Sequence, residues 1–139
     1  MPSLDLDGGP YSPRDCRRFV NETAQGWGVR GDQLDVARLL ATELVTNAIL
    51  HGAPPIRISA SRTSAVVRIE VSDANPQRPI PRPFDTEAPT GHGILLVEKL
   101  ARRWGVETDD AGKTVWFEVI IPGSAAVDAS PAHDAALQL

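Results

Sequence analysis

After Pro54 and Pro55 the spacing of apolar residues changes from about 3.6 to about two. Before the prolines, residues 35–52 read Asp-Val-Ala-Arg-Leu-Leu-Ala-Thr-Glu-Leu-Val-Thr-Asn-Ala-Ile-Leu-His-Gly and predict one helix. Ala37, Leu40, Ala41, Leu44, Val45 and Ala48 share a broad face, while Val36, Leu39 and Leu50 return on the other side. An apolar surround of this kind predicts a largely buried helix. Asp32 is suited to cap its start and Gly52 to take a left-handed position at its end, where Pro54 prevents continuation. Beyond the prolines, Ile56, Ile58 and Ala60 alternate with Arg57 and Ser59, and Val67, Ile69 and Val71 alternate with Arg68, Glu70 and Ser72. These are two half-buried strands joined by a turn over residues 62–65. A tight connection forces them antiparallel, with one face left for the helix to cover.

The remaining elements extend this pattern. Residues 1–12 are acidic and turn-rich, with room for a short edge strand at residues 4–6. Ser12 and Pro13 open a helix as cap and first residue. Phe19, Val20, Ala24 and Trp27 mark its buried side, and Arg14, Arg17 and Arg18 its wet side, which is more commonly solvated than a docking surface. Five prolines between residues 76 and 90 exclude a regular helix or an interior strand, and so long a loop is usually functional or disordered. Gly91-His92-Gly93 then leads into a helix over residues 94–102. Strands over residues 104–108 and 114–121 follow, joined by the turn Asp109-Asp110-Ala111-Gly112. The predicted fold is α+β: a two-layer sandwich, mainly antiparallel sheet covered on one face by helices. Residues 1–122 form a single domain, and residues 123–139, small and aperiodic, form a disordered tail.

Composition narrows the function. A chain of 139 residues with 42% apolar and 23% charged residues supports one globular core. A net charge of −4 gives no general reason to expect direct nucleic-acid binding. Cys16, the single cysteine, excludes an internal disulfide and a cysteine zinc cluster, and is expected to be a small buried residue. No membrane span or signal peptide is visible, so the expected location is the cytoplasm. Gly112-Lys113-Thr114 looks like the end of a phosphate-binding P-loop, but the first glycine of that motif would fall on Glu107. The triplet reads as a hairpin turn instead.

Three features can carry chemistry. Glu43, Asn47 and His51 stand four residues apart, on one stripe of the central helix. A carboxylate beside a carboxamide is costly to bury without purpose. Either the stripe faces solvent, or it walls a pocket in which Asn47 holds a hard cation and Glu43 accepts a proton. Asp73 ends a core strand, where it either makes a local turn with Asn75 or accepts from a ligand. Gly91 and Gly93 either let the chain turn into its helix or bring backbone amides to an anion.

In this order, the three features resemble a known superfamily. Glu43-Leu-Val-Thr-Asn47-Ala-Ile-Leu-His51 is similar to the N box of the GHKL ATPases, which share the Bergerat fold. Within it, Trp104-Gly-Val106 and Gly112-Lys-Thr-Val-Trp-Phe117 resemble the small bacterial anti-sigma factors that are also serine/threonine protein kinases. The resemblance spans roughly residues 10–122. It implies that Asn47 binds the Mg²⁺ that bridges the ATP phosphates, and that Glu43 is general base toward the attacking hydroxyl. It implies further that Asp73 accepts from the adenine amino group, that Thr114 lies beneath the adenine, and that Gly91 and Gly93 approach the phosphates. Residues 76–90 would be the ATP lid. Two departures stand out. The family's first glycine box is Asp-x-Gly-x-Gly, but here it is Asp73-Ala-Asn75-Pro-Gln77, with Asn75 and Gln77 at the glycine positions. His92 stands where the family commonly has arginine. The implied partners are a sigma factor, which the protein would sequester, and an anti-anti-sigma protein, which it would phosphorylate on serine; a homodimer is also implied. Two other readings remain: a non-catalytic binding module of the same fold, and the catalytic half of a histidine kinase. For the latter, no helix pair with a phospho-accepting histidine precedes the domain.

Overall fold

The computed structural model of the chain describes residues 1–77 and 93–123. Gly91, His92, nearly all of the proline-rich loop and the tail from residue 124 lie outside the described residues.

The elements in chain order are β1 (Ser3–Leu6), α1 (Ser12–Gly26), α2 (Asp32–His51), β2 (Ile56–Arg62), β3 (Val66–Asp73), α3 (Gly93–Leu100), β4 (Arg103–Asp109) and β5 (Gly112–Ile120). The strands form one sheet in the order β1-β2-β3-β5-β4, and every neighbouring pair is antiparallel. The hairpins β2–β3 and β4–β5 use the two short turns expected from sequence. Their pairing through β3 and β5 makes the centre of the sheet.

Alternation sorts the side chains to two faces. Val67, Ile69 and Val71 of β3 and Val115, Phe117 and Val119 of β5 enter the core with Ile56, Ile58 and Ala60 of β2. Ala37, Leu40, Ala41, Leu44, Val45 and Ala48 of α2 close over them, joined by Cys16, Val20 and Ala24 of α1. The opposite face mixes polar residues such as Arg68, Glu70 and Glu118 with the buried Trp116. There Arg68 reaches Glu118 at 2.9 Å and lies 3.8 Å from the ring centroid of Trp116. The fold is therefore the two-layer α+β sandwich expected, with one helical layer.

Burial pushes the Cys16 thiol up to about 12. Only the thiolate is nucleophilic, so Cys16 should not react with a disulfide reagent at pH 8 in the native protein. It should react stoichiometrically in denaturant, which a thiol titration with and without urea would show.

The helix ends differ from expectation. Ser12 does not cap α1, because its hydroxyl donates to Asp7 Oδ1 at 3.0 Å and accepts from the Gly8 amide at 3.1 Å. Gly9 N and Ser12 hold the Asp7 carboxyl below its ordinary range, so this clasp is present at neutral pH and is lost as pH falls through that lowered value. Asp32 is the first residue of α2, and the cap position belongs to Gly31, at φ 61°, where a side chain would be strained. Gly52 is extended, at φ −92° and ψ −160°, rather than left-handed. A Cβ there would lie 2.6 Å from Asp73 Cγ and 2.7 Å from the Ala48 carbonyl oxygen, so glycine is required by close approach. The outer side of α2 is also wetter than expected, for Leu39 and Leu50 are 43% and 51% exposed.

Candidate functional site

The site forms where the last two turns of α2 pass over the end of β3. Glu43 and Asn47 are half-buried on α2, one turn apart, and His51 is exposed at its end. The helix reaches β3 through the chain that follows it. Ala74 N donates to Ala53 O at 2.7 Å, and Ala53 N reaches Asp73 Oδ1 at 3.4 Å. Gly52 packs directly on the same carboxylate. Asp73 is thus fixed beneath the helix terminus, with Asn47 one turn further back along α2.

Asp73 does make the local turn that its neighbours suggest, since Asn75 N donates to its Oδ1 at 2.8 Å. Asn75 is occupied as well. Its Nδ2 donates to the His51 carbonyl at 2.9 Å, satisfying one of the free carbonyls at the end of α2, and its Oδ1 accepts from Gln77 N at 3.0 Å. The asparagine at a glycine position therefore ties the end of β3 to α2.

Sequence reasoning missed Lys113. Its ammonium lies 3.0 Å from Asp73 Oδ2 and 3.1 Å from Oδ1, and it also donates to Asn75 O at 3.2 Å. The two side chains are 8% and 4% exposed, so this is a buried ion pair. Strand register explains it: Asp73 pairs with Lys113, and Ser72 with Thr114. Thr114 therefore lies on the outer face, opposite Ser72 and Glu107, and not beside Asp73. The strand residue on the Asp73 side is Lys113. Counting back in twos from Phe117 and Val115 would have found it.

Of the expected residues, the structure brings together Asp73, Asn75 and the end of the helix that carries Glu43 and Asn47; it separates Thr114 from them. Gly93 begins α3, while Gly91 and His92 lie outside the described residues. Among the described residues no cluster of three or more His, Cys, Asp or Glu could hold a metal ion, and no helix is long and apolar enough to cross a membrane.

Comparison with known proteins agrees with the fold. A family model described as "Histidine kinase-like ATPase domain" matches residues 10–119. Among solved structures, the chain is similar to the RsbU and RsbW domains of Rv1364c from Mycobacterium tuberculosis, with a TM-score of 0.64 and 20% identity. That match covers 88% of this chain and 34% of the mycobacterial one, so the chain spans about a third of its neighbour's length. No curated protein matches. The family model takes in α1 through nearly all of β5, including Glu43, Asn47 and Asp73, and the chain belongs to the histidine kinase-like ATPase domain family.

Proposed function

We propose that this domain binds Mg-ATP and acts as an anti-sigma regulatory factor: it transfers the γ-phosphate to a serine of an anti-anti-sigma partner and sequesters a sigma factor. The observation that carries the reading is the family match across the helix bearing Glu43 and Asn47, docked on the strand end bearing Asp73. The N-box resemblance and the fold shared with a chain containing an RsbW domain support the regulatory part.

The roles follow from the chemistry of each side chain. Asn47 offers one neutral amide oxygen, and Mg²⁺ typically takes one or two protein ligands while keeping water and phosphate oxygens. An amide oxygen is a hard donor of the kind Mg²⁺ accepts beside water and phosphate oxygens. When bound, the ion would supply charge stabilisation to the transferring phosphoryl group. Glu43, one turn from Asn47, would take the proton of the attacking serine hydroxyl. Asp73 would accept from the adenine amino group.

Replacing Asn47 by alanine should lower Mg-ATP affinity about 10- to 100-fold, the size of a lost contact to a charged group, with the fold intact. Calorimetry of both proteins with Mg-ATP tests this. Absence of ATP binding by the parent at millimolar nucleotide, or equal affinity in the variant, would overturn the nucleotide-site reading.

A second reading is a binding module of the same fold that holds a partner without phosphotransfer. One observation favours it: the carboxylate expected to read adenine is already ion-paired. Capture of the same partner with and without ATP, and no phosphate transferred to it, would select this reading.

A further inference from the structure

We infer that Lys113 is a specificity-determining residue that limits nucleotide binding by occupying the base-reading acceptor Asp73. This rests on the nucleotide-site reading above. It goes beyond that reading in assigning a role to a residue outside the N box.

A carboxylate has roughly four lone-pair sites. At Asp73, Oδ1 accepts from Asn75 N at 2.8 Å and Lys113 Nζ at 3.1 Å, with Ala53 N at 3.4 Å, and Oδ2 accepts from Lys113 Nζ at 3.0 Å. Gly52 closes one flank so tightly that a methyl group could not be added. Among the described residues Oδ2 takes no amide donor, and it is the oxygen the ammonium contacts at 3.0 Å. An adenine amino group is a neutral donor and replaces a charge-assisted bond only at a loss. Adenine must displace Lys113 or share Oδ2 with it, and a displaced ammonium also gives up Asn75 O.

The pair also blurs the choice of base. A free carboxylate accepts from the adenine amino group and repels the guanine carbonyl oxygen. With an ammonium 3.0 Å from Oδ2 that repulsion is offset, because the ammonium can itself donate to the guanine oxygen. Lys113 is therefore expected to lower both ATP affinity and the preference for ATP over GTP.

The test is Lys113→Thr, which removes the charge and suits a strand position. Asp73 keeps its amide donors in this variant. Lys113→Gln, which retains a neutral donor of comparable reach, serves if the threonine variant does not fold. Calorimetry with Mg-ATP and Mg-GTP should show ATP affinity rising on the order of tenfold in Lys113→Thr, with a smaller rise in Lys113→Gln. The ATP:GTP affinity ratio should rise with it. A purely structural ion pair would give a less stable protein and no gain. Unchanged or weaker ATP binding in folded variants, with the parent still binding ATP, overturns the inference and leaves the nucleotide site standing. No nucleotide binding by the parent at millimolar nucleotide overturns both.

Discussion

Glu43→Ala is expected to retain ATP and partner binding but to lose phosphotransfer by about 10²–10⁴ in rate, the usual contribution of a positioned general base. The expectation follows from where Glu43 sits. It is one helical turn from Asn47 on α2, half-buried and away from Asp73, which docks under the opposite end of the same two turns. Removing its carboxylate leaves the Asn47 amide and the Asp73 carboxylate in place. The measurement is transfer of label from γ-labelled ATP to a serine of a co-purified partner, with ATP affinity measured alongside. Glu43→Gln keeps the shape and separates loss of the base from loss of packing. Equal transfer rates in parent and Glu43→Gln would remove Glu43 from the chemistry. Loss of ATP binding in both variants would make it a binding residue instead.

The fold was legible because its signals are local. Apolar spacing locates α2, β2 and β3, and the short turns force antiparallel hairpins. What could not be read were features that depend on a partner distant in sequence. Gly52 looked like a left-handed helix end because glycine after a helix usually is one. Here it is glycine because the Asp73 carboxylate, on another element, leaves no room for a Cβ. Ser12 looked like a cap, but Asp7 and Gly8 claim its hydroxyl. Leu39 and Leu50 show that an apolar residue on a helix does not itself say which side is covered.

The site was half legible for the same reason. Glu43 and Asn47 belong to one helix, and their spacing is fixed by one turn. The Asp73–Lys113 pair bridges a separation of 40 residues and depends on register. A shift of one residue in strand pairing moves every side chain to the other face, and register alone puts Thr114 on the face away from Asp73. The glycine box was similarly opaque. Asn75 departs from it because its amide joins β3 to the last carbonyl of α2, a purpose invisible to the motif.

Asp73→Ala should be the most damaging single change near the site, at about 3–5 kcal/mol of stability, the cost of leaving one member of a buried ion pair uncompensated. The two members are not equivalent. Without Asp73, the Lys113 ammonium keeps, among the described residues, only the Asn75 carbonyl, and the Ala53 and Asn75 amides lose their shared acceptor. Without Lys113, the Asp73 carboxylate still accepts from the Asn75 and Ala53 amides. Lys113→Thr should therefore lose less stability than Asp73→Ala. The double variant Asp73→Ala with Lys113→Met removes both charges, and it should recover part of the loss, because an apolar pair replaces a buried ion without a partner. Urea unfolding followed by circular dichroism gives the order: parent most stable, then Lys113→Thr, then the double variant, with Asp73→Ala last. The slopes should be alike if only stability has changed. A double variant no more stable than Asp73→Ala would mean that the loss comes from the broken link between α2 and β3 rather than from the stranded ammonium. An Asp73→Ala protein as stable as the parent would mean that the carboxylate is held for ligand recognition alone.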